Sequence, residues 1–556
     1  MDYQIYTPIT LWQDFNYDLP LDVSVVKEYT ENDICYKEVY FSGRNINGLR
    51  PRIYGMTAIR EGYDDLPAIM IVNDFGLTVD KSFLDYFAKA GYRAFMIDVG
   101  GENKNYAKYT IYPETVSYAN YINRNKTGDV QKSAKETCWY EWTAACRYGL
   151  SYLKSLSSGS KIGIIGIRSG GNIAWQLSAI EDRIVAACSL FAAGWKLNTV
   201  SELTENMQKW LAGLATESYA IKTKVPMMYL SDSNDDYCHM DKAYDTLNRV
   251  PEETPLLYAF SPRLKNIIGY RTAKNILLFF SKFLKNKNIA LPSIPKLTSN
   301  IESDQDGAKV ILKLSADTFD NIEEVDIFYA EDETNPEIRN WKSLKLEKIF
   351  EGVYRGECEM FSSRSQLYAY AFMTYSNGLT VSSNMLTINL DNLKLNLPVR
   401  RKSQVIYNSD MSRDTFTCYT FDEETTGVDI LLQSPNVKVA LGPMGIYGIT
   451  TSYKALASYK ISDPFFNSDD DKIFKFDVYS EKPQEMELIF MEYKSGNITS
   501  YRTQVELLGG QVWQPVEIKI SELKSEDGFA LKTWKDVFLF AFKSVIPAMY
   551  NNILWL

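Results

Sequence analysis

The chain has 556 residues, more than a single hydrophobic core usually supports, and we expect three domains. Its hydrophobic content of 45% and charged content of 23% are ordinary for a soluble globular protein. The net charge of −10 argues against nucleic acid or an anionic membrane surface as a partner.

The N-terminal sequence MDYQIYTPITLWQDF lacks the basic stretch and apolar core of a secretory signal. No apolar run in the sequence approaches the length of a membrane span. We therefore expect a cytoplasmic protein.

Residue types that hold metals or move protons are few. The seven cysteines are scattered without a CxxC pair, which predicts neither a disulfide framework nor a metal site such as zinc. We expect no cofactor. The single histidine, His239, is the one imidazole that a general-base mechanism has available.

Residues 66–285 alternate short apolar runs with amphipathic stretches of helical length, which predicts a mostly parallel sheet with helices on both faces. The predicted strands are PAIMIVND, YRAFMIDVG, KIGIIGI, VAACSLFAAG, PMMYLSDS and PLLYAFS. Apolar residues from Trp139 to Leu156 recur every three or four positions, so one helix face packs on the sheet. Residues 196–220 are helical in composition and take the place of a cap, with Trp210 a candidate for lining a pocket.

The pattern changes after residue 287. The segment IALPSIPKLTSN predicts a linker, and alternating runs such as AKVILKLSA and QLYAYAFMTY predict a small β-sandwich. A second all-β unit follows, with strands such as KIFKFDVYS and WQPVEIKI. We place the three domains at residues 1–288, 289–395 and 396–556.

Residues 161–175, KIGIIGIRSGGNIAW, have the pattern of a buried strand, a glycine-rich turn and a helix start, which is the architecture of a nucleophile elbow. An elbow needs small residues two positions before and two after its apex, because flanking Cβ atoms collide in so tight a turn. Gly166 and Gly170 meet this need, with Gly171 next in the chain. The spacing therefore makes Arg168 the apex.

An apex at Ser169 is the alternative, and it places the β-branched Ile167 at the first small position. Arginine is not a nucleophile, because its guanidinium stays protonated in proteins. The glycine spacing thus predicts an elbow whose apex is not a conventional nucleophile.

Seven motifs carry a resemblance to a known family: TLWQDFNYDLPLD, LPAIMIVNDFG, AGYRAFMIDVGG, GIRSGG, DRIVAA, YLSDSND and MDKAYDTLNRVP. Through them, the chain up to about residue 285 resembles the acetyl xylan esterase and dienelactone-hydrolase-like branch of the α/β hydrolases. The resemblance implies an α/β-hydrolase fold and descent from a carboxylic-ester hydrolase.

The turn that helps form the oxyanion hole departs from the family's pattern. Where such enzymes have a His-Gly-Gly-like turn, this chain has Asn73, Asp74, Phe75 and Gly76. A carboxylate at Asp74 would oppose the negative charge that develops in the transition state.

The positions of the catalytic acid and of the catalytic base are inferred here only through the resemblance. The acid maps to Asp235, with Asp232 and Asp236 as neighbouring competitors. The loop that should carry the base contains no histidine and offers Arg263, Lys265 and Asn266 instead.

The two later units also resemble known domains. The middle unit resembles the immunoglobulin-like domains appended to such esterases through VDIFYA, RNWKSL and LYAYAFMTYSNGLTVSS, which implies a spacer or docking role. The last unit resembles galactose-binding-like jelly rolls, a group rich in carbohydrate-binding modules, through YKISDPFF, KIFKFDVYS, VWQPVEIKISEL and LKTWKDVFLFAF. Trp513, Trp534 and Tyr550 are candidates for stacking on sugars or for the core.

These departures lead to a first hypothesis, an esterase homologue with a degenerate triad that binds a small-molecule, carbohydrate-related or anionic ligand without hydrolysis. Arg168 at a helix N-terminus, with Arg263 and Lys265 across the cleft, would attract a carboxylate or phosphate. The alternative for Arg168 is an ion pair with Asp235 or Asp74 that plugs the cleft.

The second hypothesis is an active acyl esterase acting on carbohydrate esters. It uses Ser169 as the nucleophile, with His239 and Asp235 assembled in an unusual order. A purely structural role in protein contacts is a third class.

Overall fold

The computed structural model describes most of the chain, and the description below concerns these residues: 5–122, 128, 130–157, 159–194, 203–303, 307–318, 320–331, 333–360, 366–391, 393, 402–413, 415–421 and 425–556. Residues 196–202 of the predicted cap lie outside these ranges, and so does the predicted domain boundary at residues 395 and 396. None of the helices in the described part combines the length and apolarity that a membrane crossing requires.

The α-helices of the described residues all lie before residue 286. They are α1 (Pro8–Trp12), α2 (Lys81–Lys89), α3 (Cys138–Leu156), α4 (Ser169–Ile180), α5 (Glu205–Leu214), α6 (Thr216–Ala220), α7 (Met240–Leu247) and α8 (Tyr270–Lys285). Side-chain caps fix several of their starts: the Asp80 carboxylate accepts from two backbone N–H groups of α2, and Thr137 accepts from the Tyr140 N–H of α3.

One large sheet spans this half. Its strands are β1 (Ser24–Glu31), β2 (Ile34–Ser42), β3 (Arg52–Arg60), β4 (Ala68–Val72), β5 (Arg93–Ile97), β6 (Ile162–Ile167), β7 (Ile184–Leu190), β8 (Met227–Asp232) and β9 (Leu256–Ser261). Their order is β1-β2-β3-β5-β4-β6-β7-β8-β9, antiparallel up to β5 and parallel from β5 onward. All six strands predicted between residues 66 and 285 are present.

Helices cover both faces of the sheet. In β6, Gly163 faces Phe280 of α8, which fills the space a side chain would occupy. Met70 pairs with the next residue of β6 and therefore points to the opposite face, where it meets Gly149 of α3. The mostly parallel, doubly covered sheet predicted from the sequence is thus formed.

The rest of the chain is built mostly from strands in several sheets, as predicted. The middle part holds β10 (Lys296–Ser303), β11 (Ala308–Ser315), β12 (Ile322–Glu331), β13 (Lys342–Ser343), β14 (Glu347–Phe350), β15 (Val353–Glu357), β16 (Gln366–Tyr375), β17 (Thr380–Ser382) and β18 (Leu386–Asn389). One sheet has the order β10-β11-β15-β14, and the other has the order β13-β12-β16-β17 with β18 also paired to β16.

The last part follows the same plan. Its strands are β19 (Val405–Tyr407), β20 (Phe416–Tyr419), β21 (Lys438–Leu441), β22 (Tyr447–Thr450), β23 (Ala455–Ser458), β24 (Phe474–Tyr479), β25 (Gln484–Lys494), β26 (Asn497–Leu507), β27 (Gln514–Ile518), β28 (Val537–Ser544) and β29 (Met549–Trp555). The sheets run β21-β22-β29-β24-β27, with β19 on β29, and β20-β23-β28-β25-β26. The immunoglobulin-like and galactose-binding-like likenesses of the two parts stay predictions.

The three aromatic candidates of the last part fall in different environments. Trp534 and Tyr550 are each 2% exposed and belong to the core between the two sheets. Trp513 is half-buried, and its indole N–H donates to the Pro443 carbonyl at 3.2 Å. Of the three residues, Trp513 alone therefore exposes part of its ring to solvent.

The middle part is docked firmly on the first. The fully buried Arg339 guanidinium binds both carboxylate oxygens of Asp241 in α7, at 2.6 and 2.7 Å. The Asn275 side chain of α8 exchanges two hydrogen bonds with the backbone of Thr380 in β17, at 2.7 and 2.9 Å. One hydrophobic core runs through both parts.

The Asp241→Asn variant tests the weight of this docking contact. It leaves a buried guanidinium without its counter-charge, and we expect the free energy of unfolding to fall by about 3 kcal/mol in a urea titration. The matched control is Glu351→Gln, which breaks the exposed pair with Lys348 and should cost less than about 1 kcal/mol. Equal losses in the two variants would contradict the assignment.

Candidate functional site

The turn between β6 and α4 has the backbone of an elbow with Arg168 at its apex. Arg168 has φ 50° and ψ −114°, a conformation that a residue with a side chain adopts only under strain. Its N–H donates to the Leu190 carbonyl at 2.8 Å, and its carbonyl accepts from the Gly171 N–H at 2.8 Å. The apex is therefore held by β7 on one side and by α4 on the other.

The glycines around the apex are required by space. A Cβ on Gly166 would lie 1.9 Å from the Gly170 carbonyl oxygen. A Cβ on Gly170 would lie 2.1 Å from the Val72 carbonyl oxygen, and one on Gly171 would lie 2.5 Å from the Ala192 Cβ. Backbone segments approach each other too closely here for any residue but glycine.

The Arg168 side chain is partly buried, and no direct contact with a described residue balances its charge. Its guanidinium has no hydrogen bond or ion pair with any described residue, so neither Asp235 nor Asp74 forms the predicted plug. The charge of Arg168 acts electrostatically on Asp236. Burial raises the pKa of that carboxyl, but the charges of Lys265 and, to a smaller extent, Arg168 leave it below its usual value.

Ser169 does not stand at the apex. It is the first residue of α4, its side chain is fully buried, and its hydroxyl donates to the Asp74 carboxylate at 2.6 Å. The Phe75 N–H donates both to this hydroxyl, at 2.8 Å, and to the same carboxylate oxygen, at 2.9 Å. An amide that would otherwise face a developing oxyanion is thus engaged by the protein itself.

The turn that carries this amide is closed by its own side chains. The Asn73 side chain accepts from the Asp74 N–H at 2.9 Å and donates to the Thr78 carbonyl at 3.3 Å. A Cβ on Gly76 would lie 2.9 Å from the Tyr121 ring. These contacts place Asp74 directly beside the elbow.

Asp235 lies just beyond β8 and is fully buried. One carboxylate oxygen accepts from the N–H groups of Tyr237 and Cys238, each at 2.7 Å, and the other accepts from the Ser231 hydroxyl at 2.8 Å. Burial, assisted by the nearby Asp236 charge, raises the pKa of Asp235 to about 6. This carboxyl is therefore committed to the local turn.

Asp232, the other candidate within the strand end, is also fully buried. Its Oδ2 accepts from the Ile267 N–H at 3.1 Å, while its Oδ1 has no partner in the described structure. Burial raises its pKa well above the usual value. A carboxyl whose ionised form is disfavoured by burial is poorly suited to stabilise an imidazolium as a triad acid does.

His239 is separated from both other members of the alternative triad. It is the N-cap residue of α7, and its imidazole forms no hydrogen bond to any residue that the structure describes. Burial lowers its pKa, and the charges around it come first from Glu337 and Asp241. No hydrogen bond joins Ser169, Asp235 and His239 to one another within the described chain.

The loop predicted to offer cations across the cleft is turned toward the middle part. The Arg263 guanidinium donates to the Trp341 carbonyl at 2.6 Å and to the Ser343 hydroxyl at 2.9 Å. The expectation that Arg263 faces Arg168 is therefore wrong. The physical reason is the docking of β13 and the segment before it, which supplies better acceptors than the open cleft.

Lys265 and Asn266 also have partners elsewhere. The Lys265 ammonium lies between Asp236, at 2.9 Å, and Glu337, at 2.6 Å, so its charge is balanced. The Asn266 amide donates to Asp236 at 2.9 Å. This loop thus joins the first and middle parts, and Arg168 remains the unbalanced cation at the elbow.

One further polar residue of the site escaped the sequence reasoning. Asn172 is fully buried in α4, and neither atom of its amide has a hydrogen-bond partner in the described structure. It lies four residues after Arg168, in the first turns of α4. The spacing within GIRSGGNIAW was the available signal, but burial without a partner cannot be read from spacing.

Comparisons with known proteins concern the fold of the first part. Residues 53–250 match the model of the Dienelactone hydrolase family. No curated protein gave a significant match to the chain. The α/β-hydrolase fold predicted for the first part is confirmed by this match together with the sheet.

Several solved structures are similar to about half of the chain. An acetyl xylan esterase from Paenibacillus sp. R4 is 14% identical with a TM-score of 0.38, over 50% of this chain and 92% of its own. Acetyl xylan esterase 1 from Thermoanaerobacterium sp. JW/SL YS485 is 12% identical with a TM-score of 0.34, over 47% and 90%. An esterase from Pyrococcus furiosus is 14% identical with a TM-score of 0.32, over 49% and 100%.

The closeness of the elbow backbone is tested by Gly166→Ala. The added methyl group meets a backbone carbonyl that cannot move without opening the turn, and we expect a loss of about 3 kcal/mol or more in the free energy of unfolding. Gly159→Ala is the control, because nothing lies within 4 Å of its added Cβ. Similar urea midpoints for the two variants would contradict the steric argument.

The buried Asp235 carboxyl predicts a specific pH dependence. Its pKa is about 6 in the folded state and 3.8 as the ordinary value, so between these pH values the folded protein keeps a proton that the unfolded chain releases. Stability from this group is therefore full below about pH 4 and is lost as the pH rises through 6, a change of about 3 kcal/mol.

The isosteric variant Asp235→Asn should lack this part of the pH profile. We expect the difference in unfolding free energy between the original protein and the variant to change by about 2.4 kcal/mol between pH 4 and pH 7. Urea titrations at several pH values measure it. Parallel profiles for the two proteins would show that the carboxyl is not perturbed in this way.

Proposed function

We propose that the protein is an esterase homologue without hydrolytic activity, which binds a carbohydrate-related or anionic ligand in the cleft above the elbow. The observation that carries this proposal is the strained apex position held by Arg168, whose guanidinium has no partner among the described residues. In an esterase of this fold the apex side chain faces the reacting group. A permanent cation at that point favours binding and cannot form an acyl-enzyme.

Three features of the site argue against hydrolysis. A guanidinium cannot attack a carbonyl. The Phe75 amide, which lies where an oxyanion would be bound, already donates to Ser169 and Asp74. The carboxylate of Asp74 adds negative charge where the transition state develops it.

Two features favour the binding of an anion. Arg168 is the N-cap residue of the twelve-residue helix α4, where the helix dipole places partial positive charge. In the first turns of the same helix, the Asn172 amide is buried without a partner in the described structure, which is costly unless a ligand or water supplies one. A carboxylate or phosphate group pairs well with a guanidinium in such a place.

The alternative, an active acyl esterase with Ser169 as nucleophile, has one observation in its favour. The Ser169 hydroxyl donates to the Asp74 carboxylate at 2.6 Å, so a proton acceptor is within reach without any histidine. Against it, the hydroxyl is fully buried. The two functions are separated by measuring turnover directly.

In a turnover assay with p-nitrophenyl acetate and acetylated xylan, we expect release of product at the rate of a buffer blank. The Ser169→Ala variant should give the same result, because no acyl-enzyme forms. Turnover by the original protein that disappears in Ser169→Ala would overturn the proposal in favour of the esterase. Folding of both proteins is checked by thermal unfolding.

Binding is tested with inorganic phosphate as the probe, by calorimetric titration of the full chain at low ionic strength. We expect Arg168→Ala to weaken phosphate binding at least tenfold, the loss typical of one charge-assisted contact. Arg502→Ala is the control, since that arginine lies in β26, far along the chain from the elbow, and has only a 3.7 Å contact with Glu487. Equal binding by both variants would refute an anion site at the apex.

A further inference from the structure

A cavity lies where all three parts of the molecule meet, and none of the elbow residues lines it. Its volume is about 300 Å³. The first part contributes the start of α8, the middle part contributes strands of the β13-β12-β16-β17 sheet, and the last part contributes β20 and the segment before β21. Small-molecule sites occur preferentially at junctions of this kind, and the volume is at the lower end of their usual range.

The lining of this cavity is unusually rich in charge. Its charged residues are Arg263, Arg271, Arg413, Glu324 and Asp326. Three guanidinium groups against two carboxylates leave a surplus of one positive charge, in a protein whose net charge is −10. A compact anion is therefore favoured here over the surrounding surface.

The charged groups of the lining differ in whether they already have an ion-pair partner. Both carboxylates bind the same Arg271 nitrogen, Glu324 at 2.8 Å and Asp326 at 3.0 Å. The Arg413 guanidinium is exposed and has no hydrogen bond or ion pair with the residues described. Arg413 and the buried Arg271 Nη2, which has no hydrogen-bond partner in the described structure, are thus the donors available to a ligand carboxylate or phosphate.

The other walls supply what a polyhydroxylated ring requires. Glu324 and Asp326 remain partly exposed, at 53% and 38% of their side chains, and offer acceptor oxygens to hydroxyl groups. Asn436 offers an amide, and the partly buried Tyr270 offers an aromatic face against which C–H groups pack. An acyclic anion such as acetate would contact only the arginines of the lining.

From this combination we propose that the three-part junction binds a sugar acid, a monosaccharide unit that carries a carboxylate. The carboxylate binds Arg413, the ring hydroxyls donate to Glu324 and Asp326, and one ring face lies against Tyr270. The site is distinct from the elbow and does not depend on the function proposed for it.

The experiment is a calorimetric titration of the full chain with glucuronate, glucose, acetate and inorganic phosphate as probes. We expect glucuronate to bind at least tenfold more tightly than glucose, which lacks the carboxylate, and than acetate, which lacks the hydroxyls. Acetate or inorganic phosphate binding as tightly as glucuronate would overturn the sugar-acid assignment. No binding of glucuronate at millimolar concentration would overturn it as well.

Variants locate the binding. Arg413→Ala should weaken glucuronate binding at least tenfold, and Glu324→Gln combined with Asp326→Asn should weaken it through loss of the hydroxyl acceptors. The two carboxylates also bind Arg271, so their replacement alters the junction as well as removing acceptors. A cleaner test is Arg413→Lys, which keeps the charge on an exposed residue and is expected to restore part of the affinity lost in Arg413→Ala. Thermal unfolding of each variant verifies that the junction remains folded.

Two control variants complete the test. Arg502→Ala should leave glucuronate binding unchanged, because it removes an arginine of the same part outside the junction. In a protein that carries Arg168→Ala, the junction should still bind glucuronate, and adding Arg413→Ala should still weaken that binding at least tenfold. Glucuronate binding that requires Arg168 and not Arg413 would place the sugar acid in the elbow cleft and overturn the junction site, whatever the outcome of the phosphate titration.

Discussion

The strained backbone of Arg168 is the constraint on which the first part of the molecule depends. A positive φ at a residue with a side chain persists only because β6, α4 and β4 approach through Gly166 and Gly170, where a Cβ would meet a carbonyl oxygen at about 2 Å. This packing directs the apex side chain away from the sheet, whatever residue stands there. A guanidinium in place of a hydroxyl preserves the backbone architecture. It replaces a group that could attack a carbonyl with one that attracts an anion.

The loops that would complete a triad serve a different purpose in this chain. Asp235 is enclosed by N–H groups of its own turn, and Arg263 and Lys265 bind the middle part. The fully buried Arg339 fixes the same junction from the other side through Asp241. The carboxyl edge of β8 and β9 thus forms the contact surface for the middle part. Among the described residues, neither Asp235 nor His239 is hydrogen-bonded to the elbow.

The distribution of charge gives the two proposed sites a common logic. The chain as a whole is acidic, which repels polyanions, yet Arg168 and Arg413 each present a guanidinium without a partner among the described residues. Local cations in an acidic protein select small anions that fit a recess over long anionic polymers that must cross the surface. A sugar acid at the junction and a carboxylate or phosphate at the elbow both satisfy this condition.

The sequence alone determined those features that depend on local pattern. Alternation of apolar runs located β4 to β9 and the β-rich later half, and glycine spacing placed Arg168 at the apex, because both signals act between near neighbours. Only the tertiary structure decided that Arg263 faces Trp341, that Trp534 is buried and that Asn172 lacks a partner. These outcomes depend on which distant segments pack together, and no spacing within one segment specifies its partner across the fold.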